Sequence, residues 1–364
     1  MPKEYKIFLS YYESWTAMEA IKNRKKNRAK YLSIGFGFLV LIVITLVLSV
    51  TMGAMEINFT DSLRILWGKI TGNGLEGIKA NMVAVVWEIR LPRVLCGLFV
   101  GMGLAIAGAV FQSLLGNPLA DPYTLGVSTG AAFGASLAIL LNIFFGLEIS
   151  TTVFAFTFAF FTLLVVLFIA ERGGGLTTTS LIIAGIIVGA ILSAGISFIK
   201  MTAGEDVSAI VFWIMGSLVA RRWNHVFLVM PIVLVAGIIA YAFANDLNVM
   251  TLGDSEAQSL GVNTKQTRLL YLIIGSCLTG ACVSVSGVIG FVGLVVPHLL
   301  RMWLTADNRV LIPLSALLGG LLLMLADNIT RLLSGGEIPV GVLTTLLGGP
   351  FFLYVFSRRP GKNL

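Results

Sequence analysis

Few side chains in this sequence can do chemistry, and their types and spacing favour recognition over catalysis. Arg90 and Arg93 stand three residues apart around Pro92, Asp327 and Arg331 four apart, and Glu337 directly precedes Ile338-Pro339-Val340-Gly341. A guanidinium presents a planar fork of donors that fits a carboxylate, so these arginines suit ion pairs or an acidic partner surface, with snorkelling to headgroups as the plainer alternative. Asp327 and Arg331 are expected to pair with each other near a membrane edge. Pro92 and Pro339 fit the first turn of a helix, where a missing N–H costs nothing, and Glu337 then caps the positive end of the last helix. Cys96, Cys277 and Cys282 lie in apolar runs without metal-ligand spacing and read as core thiols. His225 and His298 have no acidic or cysteine companions at ligand spacing, so no metal site is expected. No catalytic cluster and no nucleic-acid partner are expected either. The sequence contains no G-x-x-x-x-G-K-[ST] loop, so any P-loop hydrolysis of ATP must belong to a partner.

A second chemically distinct stretch is Thr251 to Arg268, TLGDSEAQSLGVNTKQTR, a polar island between two long apolar runs. Its two Leu-Gly pairs, Leu252-Gly253 and Leu260-Gly261, bracket about two turns of helix-compatible sequence. This reads as a short helix lying across a membrane face, where something on that side can grip it.

The elements that must position these groups follow from composition. Of 364 residues 57% are hydrophobic and only 12% charged, too few polar groups to coat a water-soluble globule. A helix needs about 20 apolar residues to cross the hydrocarbon. Ten such spans are expected, at 31–52, 91–114, 122–142, 150–170, 178–200, 225–244, 268–287, 289–303, 310–328 and 339–357. The 40 glycines suit helices packed closely together. An even count puts both ends of the chain on one side, and sixteen of the 25 basic residues then fall on that side. The positive-inside rule makes it the cytoplasm, together with the 252–267 island. Residues 1–30 carry aromatic residues at helical spacing and a basic run, and are either an interfacial helix held by anionic lipid or a solvated cytoplasmic tail. Residues 31–357 form the membrane domain and 358–364 a short cytoplasmic tail. On the outer side, Thr60-Asp61-Ser62 is expected to cap a short surface helix, and Val207–Met215 to be a half-helix too short to span.

Several long motifs occur in order: Ile89-Arg90-Leu91-Pro92-Arg93, then Gly108 to Pro122 (GAVFQSLLGNPLADP) with Leu125-Gly126-Val127-Ser128. Gly287 to Arg301 (GVIGFVGLVVPHLLR) and Ala326-Asp327 through Arg331 to Gly341 follow. From about residue 35 to 357 the chain resembles the FecCD family of ABC-importer permeases, which take up vitamin B12, haem and iron-siderophore complexes. The resemblance implies an all-α fold of ten helices that works as a dimer, identical or paralogous. It also implies two cytoplasmic ATPase subunits that hold the ATP and Mg, and an extracytoplasmic substrate-binding protein. The chain itself is then a transport subunit of a prokaryotic plasma (inner) membrane and not an enzyme, and the resemblance does not select a substrate. It further implies that Gly253, Asp254, Ala257, Leu260 and Gly261 couple to the ATPase and that Arg90, Arg93 and Arg331 dock the binding protein. Asn117 and Leu119, with Thr178 and Thr179 in Leu176 to Ser180, become gate candidates at the inner end of the path. His298 and Arg301 read as anchors at a helix end, with some contact to the ATPase. Gly185, Gly189 and Gly195 either line the path or permit packing. A secondary transporter is the alternative, but it calls for carboxylates inside the membrane, and Glu171 and Asp327 both fall at span ends. A membrane enzyme would need catalytic groups clustered there.

Overall fold

The long glycine-rich run beginning at Leu91 folds as the central post of the molecule. The structure is a computed structural model that describes residues 3–53, 55, 57–334 and 338–357, with side-chain surroundings for 27–53, 55, 57–333 and 338–354. Glu337 and the tail 358–364 lie outside the described residues, as do the side chains of the first 26. In the described residues every regular element is helical: α1 (Lys3–Thr51), α2 (Phe59–Thr71), α3 (Ala80–Ala84), a π-helical turn Val85–Arg90, then α4 (Leu91–Leu114). They continue with α5 (Val127–Phe145), α6 (Thr151–Arg172), α7 (Thr178–Ala203), α8 (Val207–Ile214), α9 (Trp223–Ala242), α10 (Ala244–Met250) and α11 (Asp254–Ser259). The chain closes with α12 (Thr264–Ser286), α13 (Val292–Trp303), α14 (Asn308–Ser334) and α15 (Val340–Ser357).

Among the described residues, eight helical segments are long and apolar enough to cross a membrane, and α13 and α15 are shorter apolar helices. Together they account for the ten spans. The span that contains α4 has 83% of its most apolar window buried and α12 has 78%, whereas α1 and α7 have 22% each. Burial so uneven places α4 and α12 inside the bundle and leaves most of α1 and α7 exposed on its surface. α4 packs on α14, α12, α13 and α9. Small residues set that closeness: a Cβ at Gly108 would run into the Gly293 carbonyl, so α4 and α13 touch backbone to backbone.

Three boundaries differ from expectation. The surface helix α2 starts at Phe59 with Asn58 at its N-cap and no side-chain capping bond, so Thr60-Asp61-Ser62 lies within its first turn rather than ahead of it. α5 begins at Val127, not 122, because the turn after α4 runs on to Gly126 in a left-handed conformation. α14 extends to Ser334, which puts Arg331 on a helix rather than beyond one. The half-helix over residues 207–215 is present as α8.

Candidate functional site

At one end of the bundle the polar island folds as α11, held between α10 and α12. Gly253 (φ +116°) and Gly261 (φ +86°) take backbone conformations that L side chains rarely adopt, which explains the Leu-Gly bracket: the chain turns sharply at both ends of α11. Ala257 is fully buried and forms the inward anchor, while Leu252 and Leu260 are 61% and 64% exposed. The island is tied to the body by charge. Arg268 donates to Asp254 at 2.7 Å and to the Leu176 carbonyl at 2.9 Å, fastening α11 and the start of α12 to the loop ahead of α7. Lys265 and Glu171 meet at 2.9 Å but are both exposed, so they contribute little. The Ser255 hydroxyl donates to Glu256 and holds its carboxyl below the usual range, so the exposed face of α11 is anionic. Of the five coupling candidates, then, Asp254, Leu260 and Gly261 are exposed, Gly253 shapes the turn, and Ala257 faces inward.

The turn between α4 and α5 lies at this same end. The Asn117 side chain accepts the Leu119 N–H at 2.9 Å, and Asp121 accepts the Tyr123 N–H at 3.0 Å, so backbone freed by Pro118 and Pro122 is satisfied locally. Leu119 is 43% exposed and Asn117 half-buried. Thr177 caps α7 by accepting the Ser180 N–H, leaving Thr178 half-buried and Thr179 exposed. Among the described residues no hydrogen bond joins Thr178 or Thr179 to Asn117 or Leu119. A Cβ at Gly185 would sit 2.6 Å from the Thr124 carbonyl, and one at Gly195 2.7 Å from Phe133, so both glycines are packing positions.

His298 and Arg301 are not a free helix end. His298 is buried with its ring 5.6 Å from that of Phe352. Arg301 turns inward and donates to the Gln112 side-chain carbonyl, to the Ala109 carbonyl at 3.0 Å and to Ser113 Oγ at 2.7 Å, so it is directed into the bundle instead of toward a partner. Ser113 donates on to Asn308 at 2.8 Å, Asn308 to Asn248 at 2.8 Å, and Asn248 to Asp307 at 2.7 Å. Four bonds from Arg309, three of them from its side chain, draw the Asp307 carboxyl below its usual range. This chain of bonds links α10, which leads into α11, to the inner end of α4. Sequence reasoning missed it; polar Gln112-Ser113 within an apolar helix was the available signal.

At the opposite end the three arginines lie together but point to different acceptors. Arg90 is 5% exposed and donates to the carbonyls of Val50 (3.0 Å), Thr51 (2.7 Å) and Met55, closing the C-terminus of α1, where a cation is favoured by the helix dipole. Arg93 forks onto Asp327 with bonds of 2.7 to 3.1 Å, and Arg331 reaches the same carboxylate at 2.6 and 2.9 Å while donating to the Ser49 carbonyl at 3.0 Å. The expected Asp327–Arg331 pair is therefore a three-membered cluster that pins α1, α4 and α14 together. Arg90 and Arg93, three residues apart, thus answer different acceptors.

Comparison with known proteins matches this framework. The model of the FecCD transport family matches residues 41–358. An uncharacterized ABC transporter permease, YvrB of Bacillus subtilis, is 39% identical over 96% of this chain and 99% of its own length. The cobalamin import system permease BtuC of Halobacterium salinarum is 40% identical over 79% of this chain and 77% of its own. A solved structure described as an inward-facing metal-chelate type ABC transporter superposes with a TM-score of 0.78 at 33% identity, covering 89% of this chain and 99% of that one. A ten-span helical bundle matched on this scale is a multi-pass transport component whose ATPase activity lies in separate subunits, and the chain belongs to the FecCD transport family of ABC-importer permeases.

Proposed function

We propose that two copies of this chain, or one copy with a paralogous permease, carry an iron chelate, haem or cobalamin across the plasma membrane. An extracytoplasmic binding protein hands over the cargo, and two cytoplasmic ATPase subunits, holding ATP and Mg, drive alternating access. The observation that supports this most is α11, a short helix displayed at one end of the bundle with glycine turns on both sides and a buried alanine beneath. In this reading the end bearing α11 is cytoplasmic, and so are both chain termini. Arg90, Arg93 and Arg331 then form a positive rim for the binding protein, acting as a field more than as free forks, since each already has acceptors within the chain. The relatives are named for different cargoes, cobalamin for one and a metal chelate for another.

The test of cargo is calorimetry on the cognate binding protein with ferric siderophores, haem and cobalamin; one class should saturate it, and binding of none would overturn the substrate reading. The gate is tested in the assembled importer. Cysteines at Leu119 or Thr178 should crosslink between the two permease copies in one nucleotide state and not in another. Crosslinking indifferent to nucleotide, or absent from a correctly assembled complex, would reduce Asn117, Leu119, Thr178 and Thr179 to packing residues.

A further inference from the structure

Five other enclosed arginines in this chain have acceptors: Arg90 has backbone carbonyls, Arg93 and Arg331 share Asp327, Arg268 has Asp254, and Arg301 has Gln112 and Ser113. Arg221 has none among the described residues. Its Nε is buried without a partner. Its Nη1 lies 3.5 Å from His225 Nε2, but His225 Nδ1 accepts the Arg222 N–H at 3.2 Å, so in the neutral ring the proton sits on Nε2. Two donors then face each other, and the contact is not a hydrogen bond. A half-buried cation with donors and no acceptor carries a desolvation cost that nothing inside the chain offsets.

Arg221 lines a cavity of about 480 Å³ with Ser208, Phe212, Trp213, Ser217 and Ser286. The cavity lies between the half-helix α8, the loop that follows it and the end of α12, where the Ser217 N–H donates to the Ser286 carbonyl at 2.7 Å. Ser217 Oγ accepts the Val219 N–H at 3.1 Å, which leaves its own hydrogen to donate. Two residues after Arg221, Trp223 donates to the Trp87 carbonyl at 3.0 Å, so the cavity shares the Arg90 end of the bundle, opposite α11.

We infer that this cavity is an anion-accepting subsite at the outer mouth of the path. Arg221 and the Ser217 hydroxyl receive a carboxylate or other anionic oxygen group of the cargo, while the Ser286 hydroxyl stays committed to the Cys282 and Gly287 carbonyls, and Phe212 and Trp213 lie against the apolar part of the cargo. A guanidinium with a free edge matches such oxygens and repels cations. The inference deepens the transport reading and rests on its topology: among the candidate cargoes it favours those bearing anionic oxygens.

The test uses the whole importer in right-side-out membrane vesicles, with Ser208, an exposed residue of the cavity rim, replaced by cysteine. Two thiol reagents of similar size are compared, an anionic sulfonatoethyl and a cationic trimethylammonium-ethyl methanethiosulfonate, each corrected for its rate with a free thiol. The anionic reagent should react about tenfold faster, as a local cation raises the on-rate of an opposite charge. Arg221→Gln should abolish the preference and Arg221→Lys should keep it. Arg221→Gln should also raise the unfolding temperature, because it removes an unanswered cation, whereas a structural arginine would lower it. A preference that survives Arg221→Gln would overturn the inference, and so would a thiol in the Ser208→Cys variant that neither reagent reaches from either face because a second chain covers it. Reaction only in inside-out vesicles would instead overturn the topology, leaving charge selection intact.

Discussion

Asp327→Ala should unseat α1 from the bundle and cost the protein about 3–5 kcal/mol of stability, because removing one partner of a buried ionic cluster leaves the other charges unanswered. Asp327 is 2% exposed and is the carboxylate that answers both Arg93 and Arg331. In its absence two guanidiniums face each other at the end of α4, and the Ser49 carbonyl retains a donor that no longer has a counter-charge. Thermal unfolding in detergent should show a large drop, with loss of the dispersed helix bundle rather than of membrane insertion. An unfolding temperature within a degree of the parent would show that the cluster carries no stability.

The same cluster separates structure from docking. Replacing Arg93, Asp327 and Arg331 together by Met, Leu and Met removes all the charges at once, and a packed apolar trio of similar volume is often as stable as the ions it replaces. This triple variant should recover most of the stability lost in Asp327→Ala. It should still bind the loaded binding protein more weakly than the parent if the arginines form the positive rim, and charge reversal at Arg90, Arg93 and Arg331 should weaken it further through like-charge contact. Full recovery of both stability and capture would leave the arginines with a purely internal role.

Much of this arrangement was legible in the sequence because a bilayer simplifies the code: length and apolarity alone set the spans, so α4, α6, α7 and α9 begin and end within a few residues of expectation. The Leu-Gly bracket around α11 was legible because a left-handed turn demands glycine. The start of α5 was not, since Gly126 ends a turn that Pro122 seemed to close, and only its hydrogen bonding shows the difference. Partner choice was least legible. Arg90 and Arg93 lie three residues apart, yet one meets the end of α1 and the other meets α14, which is decided by contacts 39 and 234 residues away in sequence. Arg301 and Arg221 are also ordinary arginines in sequence; what distinguishes them is the kind of acceptor they meet, or its absence.

That distinction sharpens the last prediction, on the coupling helix. The resemblance puts Ala257 and Leu260 together among the coupling residues, but the structure makes them opposites: Ala257 has no exposed surface and Leu260 is 64% exposed. A carboxylate at Ala257 must be buried against α10 and α12, so Ala257→Asp should lower the unfolding temperature and reduce the amount of folded permease before any partner is present. Leu260→Asp puts a charge into water, so the isolated permease should keep its unfolding temperature to within about a degree. In the assembled importer, however, Leu260 is, with Leu252, an exposed apolar group flanking α11, next to a face that already carries Glu256 and the Arg268-paired Asp254. Another negative charge there desolvates badly and repels any acidic rim of the ATPase cleft. Leu260→Asp should therefore reduce uptake by an order of magnitude or more and weaken pull-down of the ATPase, while ATP hydrolysis by the free ATPase is unaffected. Leu260→Met, which keeps the apolar contact, should transport normally. If Leu260→Asp transports and captures the ATPase as the parent does, α11 is not the gripped segment, and the ATPase must engage another part of the same face, such as the turn bearing Leu119.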